Sequence, residues 1–332
     1  TPSATWCARS SPAGTVVATS LGVLVIGGIT RLTQSGLSIV DWAPLMGAIP
    51  PIGEAEWAER FAQYQRFPEY RQLRSDMTLA EFKTIYFWEY LHRLIARALG
   101  LVFLVPWVAF WWSGRFSRQL LRRTLLLFAL GATQGVMGWL MVASGLVDRP
   151  TVSHYRLAAH LALAFVIFGV CVWLACDLGL GPTRAAVTRQ ARRTMGGAIL
   201  GVGVFLSAQV VWGAFVAGLK AGLSFNTFPL MGGSLVPLQL FPLDPILVNV
   251  VAHPPAVQWM HRLLGTALLA TAAAVFLGVR RIESDRGSVR LSATLLASVA
   301  VQYLLGVLTL LAAVPLALAL AHQVAALAIV GV

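Results

Sequence analysis

Charge is the scarcest feature of this sequence. Only 11% of its 332 residues are charged, whereas about a quarter of the residues in an ordinary soluble domain are charged. Acidic residues are the scarcer kind, 13 against 25 basic ones, and hydrophobic residues make up 58% of the chain. A chain with so few charges and so much apolar surface is not a soluble domain, and we predict an all-α integral membrane protein.

Cysteine is also rare. The sequence contains three cysteines, Cys7, Cys171 and Cys176. Their number and positions do not suit a disulfide framework or a thiolate metal site. The net charge of +12 would suit a nucleic-acid-binding protein, but the arginines gather in three alternate connections between apolar runs, which excludes nucleic acid as a partner. These residues are Arg115, Arg118, Arg122, Arg123, Arg184, Arg189, Arg192, Arg193, Arg280, Arg281, Arg286 and Arg290.

Apolar runs long enough to cross a bilayer, about 20 residues, recur eight times. They lie near 14–31, 87–112, 122–145, 156–177, 195–218, 256–279, 290–313 and 315–332. The positive-inside rule places the arginine-rich connections and both termini in the cytoplasm. We expect a multi-pass protein surrounded by membrane lipid in a bacterial inner membrane, or in the mitochondrial inner membrane if the chain is eukaryotic. The glycine-rich first and fifth spans suit packing within one chain or in a homo-oligomer.

The chain repeats itself. Gly222 to Gly232 echoes Gly36 to Gly47 with one residue deleted, and His261-Arg262-Leu263 echoes His92-Arg93-Leu94. Each half has four spans, so both halves have the same orientation in the membrane, which is a parallel repeat. We predict two pseudo-symmetric four-helix bundles. They comprise residues 1–180, with a long outer loop over 32–86, and residues 181–332; further matches pair Ala159-His160 with Ala321-His322, and Gln134 and Gly138 with Gln302 and Gly306.

The outer loop of the first half contains two helical signals. Trp57, Phe61 and Tyr64 recur at helical spacing among charged residues, which predicts an amphipathic helix on the membrane surface. The segment from Thr78 to Glu81 predicts a capping box that begins the approach to the second span.

Four of the six histidines take part in the repeat: His92, His160, His261 and His322. Each half brings two of them, from its second and fourth spans, to the same depth near the outer face. Two imidazoles from facing helices of a bundle suit bis-histidine ligation of heme iron. A hydrogen bond to a neighbouring helix is the alternative for any one of them, and zinc is less suitable because no cysteine joins either pair. The remaining two, His154 and His253, lie in or beside outer loops.

Arginines accompany the histidines. Arg93 and Arg262 each follow one directly, and Arg156 lies one turn before His160. Guanidinium groups pair well with carboxylates such as heme propionates, although each arginine alone is equally well explained by reaching to the lipid headgroups.

One position distinguishes the two halves. Glu89 precedes His92 by three residues, whereas Gln258 precedes His261 by three. A buried carboxyl can exchange a proton and glutamine cannot. We therefore predict that the first half performs chemistry with Glu89 and that the second carries electrons. The alternative is a structural ion pair between Glu89 and a residue such as Arg93.

Several segments together resemble the heme A synthase family across nearly the whole chain. The resemblance is carried by Gly27 to Thr33, Gly36 to Ser38 with Pro44 to Gly47, Glu89 to Arg93, Tyr155 to His160, and His261 to Leu264. It is closest to the alphaproteobacterial and mitochondrial branch. Some bacterial members have a cysteine pair in outer loops, and this sequence has none there, so electron transfer through loop thiols is not expected.

The resemblance implies an oxidoreductase that converts heme O to heme A for cytochrome oxidase. The methyl group at porphyrin position C8 becomes a formyl group, with its oxygen drawn from water through a gem-diol. It implies that His92 and His160 hold the substrate or product heme, that His261 and His322 hold a permanent heme b, and that Glu89 lies beside the substrate. Heme O synthase, cytochrome oxidase assembly factors and an unidentified electron acceptor are the implied partners.

Two other functions compete with this one. A diheme b-type electron-transfer cytochrome would bind no substrate heme. A parallel-repeat transporter would relay protons through histidines, but it would place ionisable residues near the bilayer midplane, and here the polar residues lie toward one face. Glu89, which has no acidic counterpart in the second half, and the family motifs favour the enzyme.

Overall fold

The structure is a computed structural model that describes residues 12–41, 46–147, 149–180, 189–282 and 286–332. Cys7, Arg184 and residues 42–45 of the first glycine–proline motif lie outside these ranges. Regular structure in the described residues is helical, apart from one isolated β-bridge between Met231 and Ser234. The helices are α1 Pro12–Leu32, α2 Glu54–Tyr64, α3 Pro68–Leu73, α4 Leu79–Trp112, α5 Arg118–Ala143, α6 His154–Leu180, α7 Arg189–Gly218, α8 Asn249–Ala252, α9 Pro254–Ile282, α10 Arg286–Leu311 and α11 Leu316–Val330.

Seven helices in the described part of the chain are long and apolar enough to cross a membrane, namely α1, α4, α5, α6, α7, α9 and α10. They occupy the first seven predicted spans. The eighth run forms α11, whose 15 residues extend about 22 Å at 1.5 Å per residue, less than the roughly 30 Å hydrocarbon core. A multi-pass membrane protein is therefore confirmed, and an eighth complete span stays a prediction.

The chain divides into two compact units, one within residues 1–156 and 163–181 and the other within 157–162 and 182–332. In the first, α1, α4, α5 and α6 contribute to a common apolar core around Leu127, Cys171 and Leu174. In the second, the core draws on α7, α9, α10 and α11, with Leu268, Ala272, Val299, Val202 and Ile329 buried together. Small side chains such as Ala272 allow close helix contact, which stabilises helices in lipid through van der Waals packing.

The predicted capping box is present and begins α4 earlier than the apolar run alone indicated. The Thr78 hydroxyl accepts a hydrogen bond from the Glu81 backbone N–H, and the Glu81 carboxylate accepts one from the Thr78 N–H at 2.8 Å. These contacts satisfy donors that would otherwise lack partners at the helix start. Helix α4 therefore begins at Leu79, and its 34 residues exceed the roughly 20 that a bilayer crossing needs.

The predicted amphipathic helix is α2, but its apolar face packs on protein rather than lying on lipid. The rings of Trp57 and Tyr86 are 5.0 Å apart, and those of Tyr64 and Phe82 are 5.2 Å apart. Tyr64 and Phe82 are fully buried. Because aromatic side chains bury large areas, α2 and α3 form a fixed cap, residues 54–78, on the first turns of α4.

Candidate heme sites and a buried acid

The clearest ligand geometry lies in the second unit, where His261 of α9 and His322 of α11 face one another. Their ring centres are 6.5 Å apart with the ring planes at 80°. Two imidazoles on opposite sides of one metal ion have centres about 6.3 Å apart, because each metal–nitrogen bond is about 2.0–2.1 Å and each ring centre lies about 1.1 Å further on. The two histidines are thus spaced for one iron between them.

Glutamines approach the nitrogens that such an iron would bind. The Gln209 amide nitrogen lies 3.3 Å from His261 Nε2, and the Gln302 amide nitrogen lies 3.4 Å from His322 Nε2. Both contacts are compatible with an unprotonated Nε2, the form that metal binding requires. The Nδ1 atoms of both rings are buried without a hydrogen-bond partner in the described residues. The donor set therefore fits a bis-histidine heme.

Glycines make room for three of the four predicted histidine ligands. A Cβ at Gly306 would lie 2.9 Å from Cε1 of His322, and one at Gly213 would lie 3.2 Å from Cε1 of His261. In the first unit, a Cβ at Gly27 of α1 would lie 2.8 Å from Cε1 of His92. Optimal carbon–carbon contacts are about 3.5–4.0 Å. A side chain at any of these glycines would therefore force an imidazole to move.

Glu89 is buried in the first unit, with 2% of its surface exposed. One carboxylate oxygen accepts hydrogen bonds from the Ser38 hydroxyl at 2.7 Å and from the Ile39 N–H at 2.9 Å. The other lies 2.6 Å from Nη2 of Arg93. The ion pair that the structural alternative required is thus present, and it fixes the carboxylate together with the Ser38 and Ile39 contacts.

The corresponding place in the second unit has the same backbone partner and no acid. Arg93 Nη2 donates to the Ile39 carbonyl at 2.9 Å, and Arg262 Nη2 donates to the Phe225 carbonyl at 3.0 Å. Gln258 also donates to the Phe225 carbonyl, at 3.0 Å. The exchange of Glu for Gln therefore leaves the loop contact in place and removes the titratable group.

The three predicted propionate-binding arginines all contact backbone carbonyls. Arg93 also reaches the Asp41 carbonyl at 3.2 Å, and Arg156 donates to the Leu140 carbonyl at 2.6 Å. Arg262 keeps a buried Nε donor without a partner in the described chain. Propionate contacts by these residues stay predictions, and the buried Nε of Arg262 is the group most in need of an acceptor.

The predicted partnership of His92 and His160 also stays a prediction. His92 belongs to the first compact unit, whereas residues 157–162, which include His160, group with the second.

The two histidines outside the repeat contact neighbouring groups. The His154 ring lies 4.0 Å from that of Tyr155, and His253 Nδ1 lies 3.1 Å from the Leu240 carbonyl.

Sequence reasoning missed three features: Gln209 and Gly213 beside His261, and the buried Glu69 in the outer cap. A polar Gln209 within an apolar span was a usable signal. Gly213 lies as far before Gly222 as Gly27 does before Gly36, so the repeat could have identified it. Nothing in the sequence separated Glu69 from the exposed acids around it.

The fold and these residues define a class: a multi-pass helical membrane protein with two partly buried histidines, His261 and His322, at the spacing of two ligands of one metal ion. The chain matches the COX15-CtaA family, described as cytochrome oxidase assembly protein, over residues 13–332. It is 44% identical over 310 residues to "Heme A synthase" of Sinorhizobium fredii, covering 93% of this chain and 83% of that one. It is 46% identical to "Heme A synthase" of Nitrosospira multiformis, covering 92% and 85%. The chain belongs to the heme A synthase family, as its motifs predicted.

Proposed function

We infer that this protein is a heme A synthase, a membrane-bound oxidoreductase that converts heme O to heme A. The observation that carries this conclusion is identity of 44–46% to heme A synthases over more than nine-tenths of the chain. The all-helical membrane fold and the spacing of His261 and His322 support this inference. Its place in cytochrome oxidase assembly follows from the family.

The overall chemistry defines what the protein must handle. Oxidation of a methyl group to a formyl group with oxygen from water is R–CH₃ + H₂O → R–CHO + 4 H⁺ + 4 e⁻. The protein must hold the porphyrin, pass electrons to an acceptor and remove protons from a water-poor site. We assign these tasks to different residues of the two halves of the chain.

We assign the heme b site to the second unit, where His261 and His322 would hold the iron. Support comes from the 6.5 Å ring separation and from Gly213 and Gly306, which leave space for both rings. When bound, heme b supplies one-electron redox chemistry. The chain's own part is to fix both imidazoles in a buried environment, and Arg262 offers its unpaired Nε to a propionate.

We assign the substrate site to the N-terminal half, residues 1–180, where His92 and His160 would hold heme O or heme A and Arg93 and Arg156 would bind its propionates. Glu89 is the proton-transfer group of this site. Two observations support this role of Glu89. Its carboxyl group is buried, and it forms hydrogen bonds with Ser38 and Ile39 that fix it on the helix that carries His92.

The halves are proposed to be two parallel four-helix bundles. The matching contacts support this: Arg93 and Arg262 bond corresponding loop carbonyls, and Gly27 and Gly213 face corresponding histidines. The arginine-rich connections place both termini in the cytoplasm and the heme sites toward the outer face of a bacterial inner membrane. Heme O synthase, assembly factors and a second copy of the chain are the proposed partners.

Pigment extraction from the purified protein tests the function. Recovery of heme O or heme A together with heme b supports catalysis. Heme b alone, in both units, would instead identify a diheme electron-transfer cytochrome and overturn the proposal.

A further inference from the structure

The described part of the chain buries only two carboxyl groups, those of Glu69 and Glu89. Both belong to the first unit. The other described acidic residues are exposed. Burial of a carboxyl group without a strong partner is costly, so Glu69 requires an explanation that its exposed neighbours do not.

Glu69 is held loosely. The Tyr64 hydroxyl donates a hydrogen bond to its carboxylate at 3.2 Å, and Arg74 Nε lies 3.8 Å from the other oxygen. The Glu89–Arg93 pair is much closer, at 2.6 Å. Helix α3, which carries Glu69, therefore does not depend on a tight ion pair of this residue.

The charged and titratable groups that act on Glu69 come from each neighbouring element: Arg31 of α1, Tyr64 of α2, Arg74 after α3 and Glu89 of α4. Burial raises the pKa of Glu69 to about 7, with the negative charge of Glu89 adding to the rise and Arg74, Tyr64 and Arg31 opposing it. A carboxyl group with this pKa exchanges protons at neutral pH.

The location of Glu69 suits proton removal. It lies in the cap outside the membrane span, whereas Glu89 lies on the spanning helix, and the two carboxyl groups interact electrostatically. Arg74 is partly exposed and also donates to the Gln34 carbonyl at 3.0 Å, at the outer end of α1. Glu69, through Arg74 at Gln34, and Glu89, through Ser38 and Ile39, therefore border the same short loop, and Arg74 also reaches water.

The second unit has neither acid. Gln258 replaces Glu89, and the only acidic residue between positions 219 and 253 is Asp244, which is exposed. The two buried acids thus occur together, in the unit to which the oxidation is assigned.

We propose that Glu69 is a proton-transfer residue that receives protons from Glu89 and releases them to the outer aqueous face. Each proton leaves the Glu89 carboxyl, binds the Glu69 carboxylate and passes to water, while the electrons follow their separate route to the acceptor. The proposal rests on the assigned role of Glu89 in the substrate site.

The test compares the Glu69→Gln variant with Asp76→Asn, which removes an exposed carboxylate from the same cap. Full-length protein in lipid nanodiscs is supplied with heme O, and heme A formation is measured across neutral pH. The wild-type rate should rise through about pH 7, because Glu69 accepts protons only when ionised. Glu69→Gln should lose this rise and be about tenfold slower above it, with unchanged heme content, while Asp76→Asn keeps the rise.

Infrared titration supplies a measurement that does not depend on turnover. The band of a protonated carboxyl group should titrate near pH 7 in the wild type and be missing in Glu69→Gln. Tyr64→Phe removes a donor to the ionised form, so it should move both the band and the rise in rate to higher pH. If Glu69→Gln does not fold, the shift of the band and of the rate rise in Tyr64→Phe tests the proposal instead.

A wild-type pH profile in Glu69→Gln, or a pH-independent loss of rate in proportion to lost heme, would overturn the proposal. If Glu89→Gln is inactive while Glu69→Gln behaves as wild type, the transfer step is refuted and the role of Glu89 stands. If Glu89→Gln converts heme O normally, the role of Glu89 itself fails, and the step that rests on it fails too.

Discussion

Replacing Glu89 with glutamine separates the chemical role of this residue from its structural one. The side chain keeps nearly the same shape, and its carbonyl oxygen can still accept from the Ser38 hydroxyl and the Ile39 N–H. It loses the negative charge that lies 2.6 Å from Arg93. The second unit has a glutamine and an arginine at the corresponding positions, where Gln258 and Arg262 both donate to the Phe225 carbonyl.

The expected loss of stability is bounded by the structure. Removing one partner of a buried ion pair costs about 3–5 kcal/mol. Arg93 is 18% exposed and keeps hydrogen bonds to the Ile39 and Asp41 carbonyls, so the lower end of that range applies. The variant should fold and bind heme. Heme A formation should fall by about 10²–10⁴-fold, the usual contribution of a positioned proton-transfer group.

Pigment extraction and chromatography of the purified Glu89→Gln variant provide the assay. We expect heme b at the wild-type level, with heme O or its hydroxylated intermediate in place of heme A. Asp76→Asn is a suitable control, because Asp76 is an exposed acid of the cap that precedes the same helix. Heme A formed at the wild-type rate by Glu89→Gln would show that Glu89 serves only as the partner of Arg93.

Three further outcomes follow from the described contacts. Gly213→Ala should place a methyl group against His261 and weaken heme b binding about 5–160-fold, since overpacking costs about 1–3 kcal/mol. Gly203→Ala in the same helix meets nothing within 4 Å and should bind heme b normally, so equal heme b spectra in the two variants would contradict the site. His261→Ala and His322→Ala should each abolish the heme b absorbance, and retention of the wild-type spectrum by both would show that the ligands are wrong. Trp57→Ala should lower the free energy of unfolding by about 3 kcal/mol or more, because the Trp57 ring packs in the cap against α4. Thermal unfolding measures this loss, and an unchanged melting temperature would mean that the aromatic cluster does not fix the cap.

The sequence by itself determined the parts of this protein that depend on local pattern. Run length and hydropathy located the spans, because a bilayer of fixed thickness requires helices of a certain apolar length. The repeat selected four histidines out of six, and it exposed the difference between Glu89 and Gln258. The capping box at Thr78 was readable since its two hydrogen bonds join residues three apart.

Tertiary structure alone decided which side chains meet. The sequence favoured a surface position on lipid for α2, but Trp57 and Tyr64 found a better apolar partner in the first turns of α4. Glu89 and Arg93 were candidates for pairing, and only the packed loop at Ser38 showed the carboxylate held by both. Glu69 is one of several acids in its loop, and its burial depends on the helices that close around it. Burial and pairing are set by groups distant in sequence, and for that reason local pattern cannot specify them.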